Sequence, residues 1–450
     1  MPANDFVMTR LPRAHRLATA FATALGFALP VTSIAVDGAN SPSAPAHAGS
    51  TVPVTNCNDS GAGSLRDAVA AAASGDTVDL THVGCSVITL TSGQIEIPQD
   101  DLVLKYAGDG THPTISTNGA GRVLHHTGHG TLEVSGLTLS DGKYVGNFAF
   151  GGCVYSSGSV YLLGATISNC TAQATESGSA HGALGGGVFA QGEIRMLESI
   201  VSGNVASTTQ TNVQVFGGGL YSAGGFTFSA STITGNQTQP ATNGLGFGGG
   251  GLAVGTSYVN GCTIDNNQAN VGAGLALYGT SATVVNSTFS ANNAGEAALS
   301  FDANSASLEN STVAFNTAGA LTAGVTSNYA LTMESSIVAD NHLFGGGDTE
   351  DVYATVINGS HNLVLSGSNL PPDTIMDDPM LQPLIDNGGP TLTHALAPGS
   401  PAIDRGSNTL NLAYDQRGVG YTRVAGAAPD IGAFELQTAG DSIFVDGFDP

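Results

Sequence analysis

Positive charge is what this sequence most lacks. Only 11 Lys and Arg stand against 35 Asp and Glu, a formal net charge of −24 over 450 residues. Nucleic acid and anionic lipid both need clustered cations, so neither is an expected partner. Charge of either sign is thin at 10%, yet 41% of residues are apolar and mean hydropathy is positive, which excludes a disordered chain. Beyond the first 48 residues there is no apolar run long enough for a membrane-spanning helix. Glycine is abundant, at 63 residues, but without the G-X-Y triplet that collagen requires. From Arg195 to Arg405 no Lys or Arg occurs at all. A lyase acting on uronates needs a cationic base and neutralising groups, so that gap argues against one.

The N-terminus reads as an export signal. Arg10, Arg13 and Arg16 precede the apolar run LATAFATALGFALP, and Ala46-His47-Ala48 offers a cleavage site, so residues 1–48 are expected to be removed. The mature protein is then exported, to the cell surface, outer membrane or medium. Five cysteines in such a chain suggest two disulfides and one spare thiol.

What is present is a repeat. Copies of Thr-Ile-x-x-Asn align with Cys170, Asn204, Asn236, Asn267, Asn292, Asn316 and Asn341 in the last position, at spacings of 34, 32, 31, 25, 24 and 25. The same register makes one apolar column of Leu162, Met196, Phe228, Val259, Val284, Leu308 and Met333, and another of Ile167, Val201, Ile233, Ile264, Phe289, Val313 and Val338. Apolar and polar residues alternate inside each unit, as in SVYLL and GFTFS, which is strand periodicity. A unit of some 24 residues with this pattern predicts a solenoid. The expected fold is all-β: a right-handed parallel β-helix of the pectin-lyase-like kind, with like side chains stacked about 4.8 Å apart. Ser64-Leu-Arg-Asp67 resembles a capping box, and 64–74 is expected to form a helix closing the first turn.

The segments GG[VL] and Phe289-Ser-Ala-Asn292 resemble the repeats of polymorphic outer-membrane proteins. DNGGPTLTHALAPGSPAID at 386–404, YDQRG at 414–418 and PDIGAFE at 429–435 resemble the choice-of-anchor Q module that follows β-helix repeats in exported bacterial proteins. The resemblance implies a secreted or surface-exposed β-helix, in a family whose activity is mostly unassigned. No series of barrel strands follows residue 437, unlike in autotransporters. The expected organisation is a signal over 1–48, an N-terminal cap over 49–80, the β-helix over 81–365, a loop-rich C-terminal cap over 366–437 and a tail over 438–450.

Sequence alone does not fix the cysteine pairing, but Cys57 and Cys85 flank the cap helix and Cys153 and Cys170 fall near one corner of a turn, so these two bridges are expected, with Cys262 left as a buried thiol. Insertions at 143–150, 173–184, 207–216 and 238–247 all project from one side. They carry Tyr144, Phe148, Phe150, Glu176, His181, Gln210, Asn212, Gln214, Gln237, Gln239 and Asn243, a set of aromatics and amides suited to neutral sugars or protein surfaces. The competing expectation is that these loops pack on one another and bind nothing. No catalytic residue and no metal site is expected. Asp100-Asp101 and Gly128-His129-Gly130 match only one element of the polygalacturonases, and His125 and His126 point apart. The charges of the C-terminal segment, Asp404, Asp415 and Asp430 against Arg405, Arg417 and Arg423, read as an ion-pair lock, with calcium as the lesser alternative. The expected function is a monomeric, non-enzymatic scaffold for adhesion or for binding polysaccharide or a surface protein. The alternative is a polysaccharide lyase or glycoside hydrolase.

Overall fold

In a computed structural model of the chain, the described residues are 49–437, apart from 109, 111, 176–180, 320–321 and 346–348. The expected signal and tail lie outside them. The strands form a right-handed parallel β-helix of three sheets, with 17, 11 and 12 strands among the described residues. A representative turn runs through Val154–Ser156 and Ser159–Leu163 in the first sheet, Thr166–Ser168 in the second and Thr171–Ala174 in the third. Each strand pairs in parallel with its copy one turn away. The second-sheet column Ile167, Val201, Ile233, Ile264, Phe289, Val313 and Val338 is paired residue for residue, as the repeat requires. So is the column from Leu162 to Met333. All of these side chains point into the tube and are buried.

Corners between sheets free backbone N–H groups, and side-chain oxygens take them up. The asparagines form one unbroken ladder: each donates Nδ2–H to the Oδ1 of the next, at 2.8 Å from Asn204 to Asn236, 3.0 Å to Asn267, 3.0 Å to Asn292, 2.9 Å to Asn316 and 2.8 Å to Asn341. The same Oδ1 also accepts the backbone N–H of the preceding rung. The ladder starts at the Cys170 N–H and ends on the carboxylate of Asp351, which accepts from Asn341 at 2.8 Å. Serine hydroxyls at 199, 231, 287, 311 and 336 accept backbone N–H groups in the same way at the neighbouring corner.

Both expected disulfides are formed, Cys57–Cys85 and Cys153–Cys170. Cys262 is free and buried, its thiol pushed up to about 12 by that burial. The cap helix is shorter than the expected 64–74. It spans Leu65–Ala71, with Ser64 accepting the Asp67 N–H, and Ala72 is already extended. The Asp76 carboxylate accepts the N–H groups of Ala73 and Ser50 and draws the chain into the first rung before Gly75 is reached.

At the other end, Gly367 and Ile375 bridge in parallel to Val352 and Leu363, so residues 367–375 lie across the last rung. From there the chain turns back and runs along the outer face of the second sheet. Its contacts are Gly432 N–H to Ser335, Ala433 N–H to Thr312, Gln416 to Thr288 and Thr263, and Leu392 to Thr263. The C-terminal segment therefore covers a flank as well as an end.

Candidate functional site

The projecting segments expected to be loops are strands. Lys143–Gly146, Thr171–Ala174, Val205–Thr208 and Gln237–Gln239 lead outward and pair in that order. Ala149–Phe150, His181–Leu184, Gln214–Phe216 and Gly246–Phe247 lead back and pair likewise. The two layers converge on Gln268–Val271, which pairs with both. Between them lies a small core of Ala149, Ala172, Ala174, Ala183, Ala206 and Val215. Small apolar residues at alternate positions let two layers close on each other, and this is why the insertions form a packed flange instead of free loops.

That packing sorts the candidate residues. Gln237 donates to Gln268 of the next rung at 2.6 Å, and Gln239 donates to Gln237 within its own strand at 2.8 Å. Gln210 donates to the Thr175 carbonyl, and Asn212 and Asn243 sit at exposed turns with φ of 60° and 59°. Gln214 is half-buried in a returning strand. Glu176 and the side chain of His181 lie outside the described residues. The three aromatics gather apart from these amides, at the flange's N-terminal edge.

Between the returning strands and the first sheet runs a crease. One wall is the outward column His125, Tyr155, Phe189, Tyr221 and Leu252. The other is Phe150, Leu184, Phe216 and Phe247. Stacked rings fill it: Tyr155 on Phe189 at 5.3 Å, Phe189 on Tyr221 at 5.5 Å, Phe216 on Phe247 at 5.4 Å. The triple glycines lie where each returning strand turns into the first sheet. A methyl on Gly218 would sit 2.3 Å from the Gly249 carbonyl oxygen, and Gly217 has a φ of 65°.

The filling stops at the N-terminal mouth. There Phe148 is 43% exposed and stacks on Phe150, with Tyr155 and His125 beyond, their rings 5.0 Å apart. His125 Nδ1 lies 2.6 Å from the exposed Glu96 carboxylate, and Gln94 donates to the other oxygen of Glu96. Arg122 donates to Gln94 and to the carbonyls of Phe150 and Gly151, while its guanidinium lies 4.0 Å over the Tyr144 ring. Burial pulls the Arg122 pKa down to about 10, which leaves it charged at neutral pH. The mouth is thus an exposed aromatic patch beside a carboxylate–imidazole pair, braced from behind by Arg122. Glu96, Arg122 and Tyr155 were not among the sequence-derived binding residues. A signal existed for Tyr155, because an aromatic follows GG-x-[VL] again at Phe189 and Tyr221.

Other chemistry-bearing groups are engaged in structure. Asp100 and Asp101 accept the N–H groups of His129 and Thr131, so this carboxylate pair holds the next rung. His126 is buried; its Nε2–H donates to the Gln99 carbonyl and its Nδ1 accepts from Ser156, and burial lowers its pKa. In the C-terminal segment, Asp415 pairs with Arg417 at 2.6 Å, and the guanidinium is sandwiched between Tyr421 and Phe434. Asp404, Asp430 and Glu435 accept backbone N–H groups from the surrounding loops. Burial pushes the Glu435 carboxyl up to about 7. No group of three His, Cys, Asp or Glu placed to hold a metal occurs among the described residues.

No protein-family model and no curated protein matches the chain. Among solved structures it is similar to the crystal structure of pectate lyase Pel9A, at 15% identity and a TM-score of 0.38, over 86% of this chain and 98% of that one. The likeness extends to the fold alone. No helix of the described residues is long and apolar enough to cross a membrane.

Proposed function

We propose that the protein is an exported β-helix scaffold that binds neutral carbohydrate, or a protein surface, at the mouth of the crease, without bond-breaking chemistry. The observation that carries this reading is the placement of Phe148, Phe150 and Tyr155 beside the exposed Glu96–His125 pair. Aromatic faces supply apolar area, and a few fixed polar groups beside them supply orientation. Two disulfides fit an oxidising compartment. The resemblance of 386–435 to an anchor module supports retention at a surface, with the buried Arg417–Asp415 pair keeping that module folded.

The test is a panel of soluble neutral oligosaccharides and surface polysaccharides, read by calorimetry and for release of reducing or unsaturated ends. The expected result is binding without turnover, weakened at least tenfold by Phe148→Ala combined with Glu96→Gln. Turnover of any member would replace this reading with the enzymatic one. An unchanged affinity in the double variant would remove the crease mouth as the site.

A further inference from the structure

Between Val87 at one end and Ile337 at the other, the outer face of the second sheet carries one pattern, Thr-x-Ser or a close variant. Its leading column runs Thr114, Thr138, Thr166, Ile200, Thr232, Thr263, Thr288 and Thr312, each paired with the next. In the later turns this column is already a binding surface. Thr263 donates to the Leu392 carbonyl at 2.6 Å, Thr288 donates to the Gln416 side chain at 2.6 Å, and Thr312 accepts the Ala433 N–H at 3.1 Å. These contacts come from three separate loop stretches of the covering segment, at Leu392, Gln416 and Ala433, and the groups they present to the hydroxyls are uncharged.

From Thr232 back to Thr114 the same column is uncovered. Neither it nor the parallel column Ser116, Ser140, Ser168, Ser202, Thr234 contains a charged residue, in a chain of net charge −24. Asp141, at the rim, is turned onto Ser140 and Ser116. A threonine hydroxyl both donates and accepts, and its β-branched side chain is stiff, so holding it costs little entropy. The hydroxyls of Thr114, Thr138 and Thr166 stand about 4.8 Å apart along the axis, close to the rise of one sugar in an extended β-linked glycan, and Ile200 breaks the row before Thr232.

We infer that the uncovered face, Thr114 to Thr232, is a docking surface for an extended, uncharged polysaccharide lying along the axis, continuing the interface that the C-terminal segment makes with the later turns. This rests on the carbohydrate-binding reading but not on the crease. A charged polymer would find no counter-ions there. A second copy of the chain would bring its own charge of −24 against the first.

The experiment uses the whole protein and microcrystalline cellulose, insoluble chitin and xylan as probes, with the bound fraction read by depletion at low and high salt. Binding to at least one probe is expected, insensitive to salt, and reduced at least tenfold in Thr138→Glu/Thr166→Glu/Thr232→Glu. Thermal unfolding checks that the variant is folded. If it is not, Thr138→Val/Thr166→Val, which removes hydroxyls without adding charge, is expected to lower binding severalfold. In a Phe148→Ala background the threonine variants are expected to lower binding to the solid by the same factor as in the wild type, which separates this face from the crease. Absence of wild-type binding to all three probes, or equal binding by folded variants, overturns the inference. So does a dimer that the glutamates dissociate, since the occupant would then be a second copy.

Discussion

The earlier and later turns of the second sheet have nearly the same strand sequence and opposite fates. Thr166-Ile167-Ser168 and Thr232-Ile233-Thr234 bury only the central residue, whereas Thr288-Phe289-Ser290 and Thr312-Val313-Ala314 are buried throughout. Inside the tube the two halves are equivalent. Outside, the difference is made by a segment that begins some hundred residues later in the chain and lies back along them. Burial of an outward residue in a solenoid is therefore a property of what returns to cover it, not of its own strand.

The strongest way to test the equivalence is from within. Ile233→Ala under the bare face should cost about 2–5 kcal/mol and Phe289→Ala under the covered face about 3–5 kcal/mol, because each leaves a cavity in a packed column. Chemical denaturation would measure both, and a near-zero cost in the bare half would mean that its core is not continuous with the rest. Next in size is Gln416→Ala. Gln416 accepts from buried Thr288, and its two amide hydrogens are shared among the buried Thr263 and Thr391 hydroxyls and the half-buried Leu392 carbonyl. Losing them should cost about 2–3 kcal/mol. Hydrogen exchange should then speed up across Thr263–Asp265 and Thr288–Ser290 while Thr166–Ser168 stays unchanged. Equal acceleration in both halves would break the comparison.

The smallest effect concerns the ladder's end, near the point where the covering segment starts. Burial pushes the Asp351 carboxyl up to about 7, against its hydrogen bonds from Asn341. A carboxyl raised on folding stabilises the fold while protonated. That contribution is complete below the ordinary value of 3.8 and disappears as pH rises through about 7. Asp351→Asn, which extends the asparagine ladder by one rung, should raise stability by about 2 kcal/mol at pH 8 and little at pH 4. Melting curves at the two pH values would show it, and an equal shift at both would refute the assignment.

Much of this was legible in the repeat. The Asn column predicts the hydrogen-bonded ladder because one amide can both accept from the rung before and donate to the rung after, and the spacing of Cys153 and Cys170 predicts their bridge. The flange was expected as loops that either display binding groups or pack on one another; they do pack, but as paired strands, because an alternation as short and alanine-built as Thr171-Ala-Gln-Ala174 marks strands weakly. The crease mouth was half-read. Tyr144, Phe148 and Phe150 are neighbours in sequence, but Glu96 and Arg122 reach them only because successive turns stack.

What the sequence by itself determined is everything that repeats: the register, the inward columns and the corner ladders. Each depends on contacts one turn away, and a periodic sequence specifies those wherever it recurs. Only the tertiary structure decided what does not repeat. It closed the flange into two layers, left the aromatic mouth open at one end of the crease and laid the C-terminal segment over one half of a uniform face. Those outcomes turn on surfaces meeting across long stretches of chain, where no local pattern says which copy of a repeated face will be the one covered.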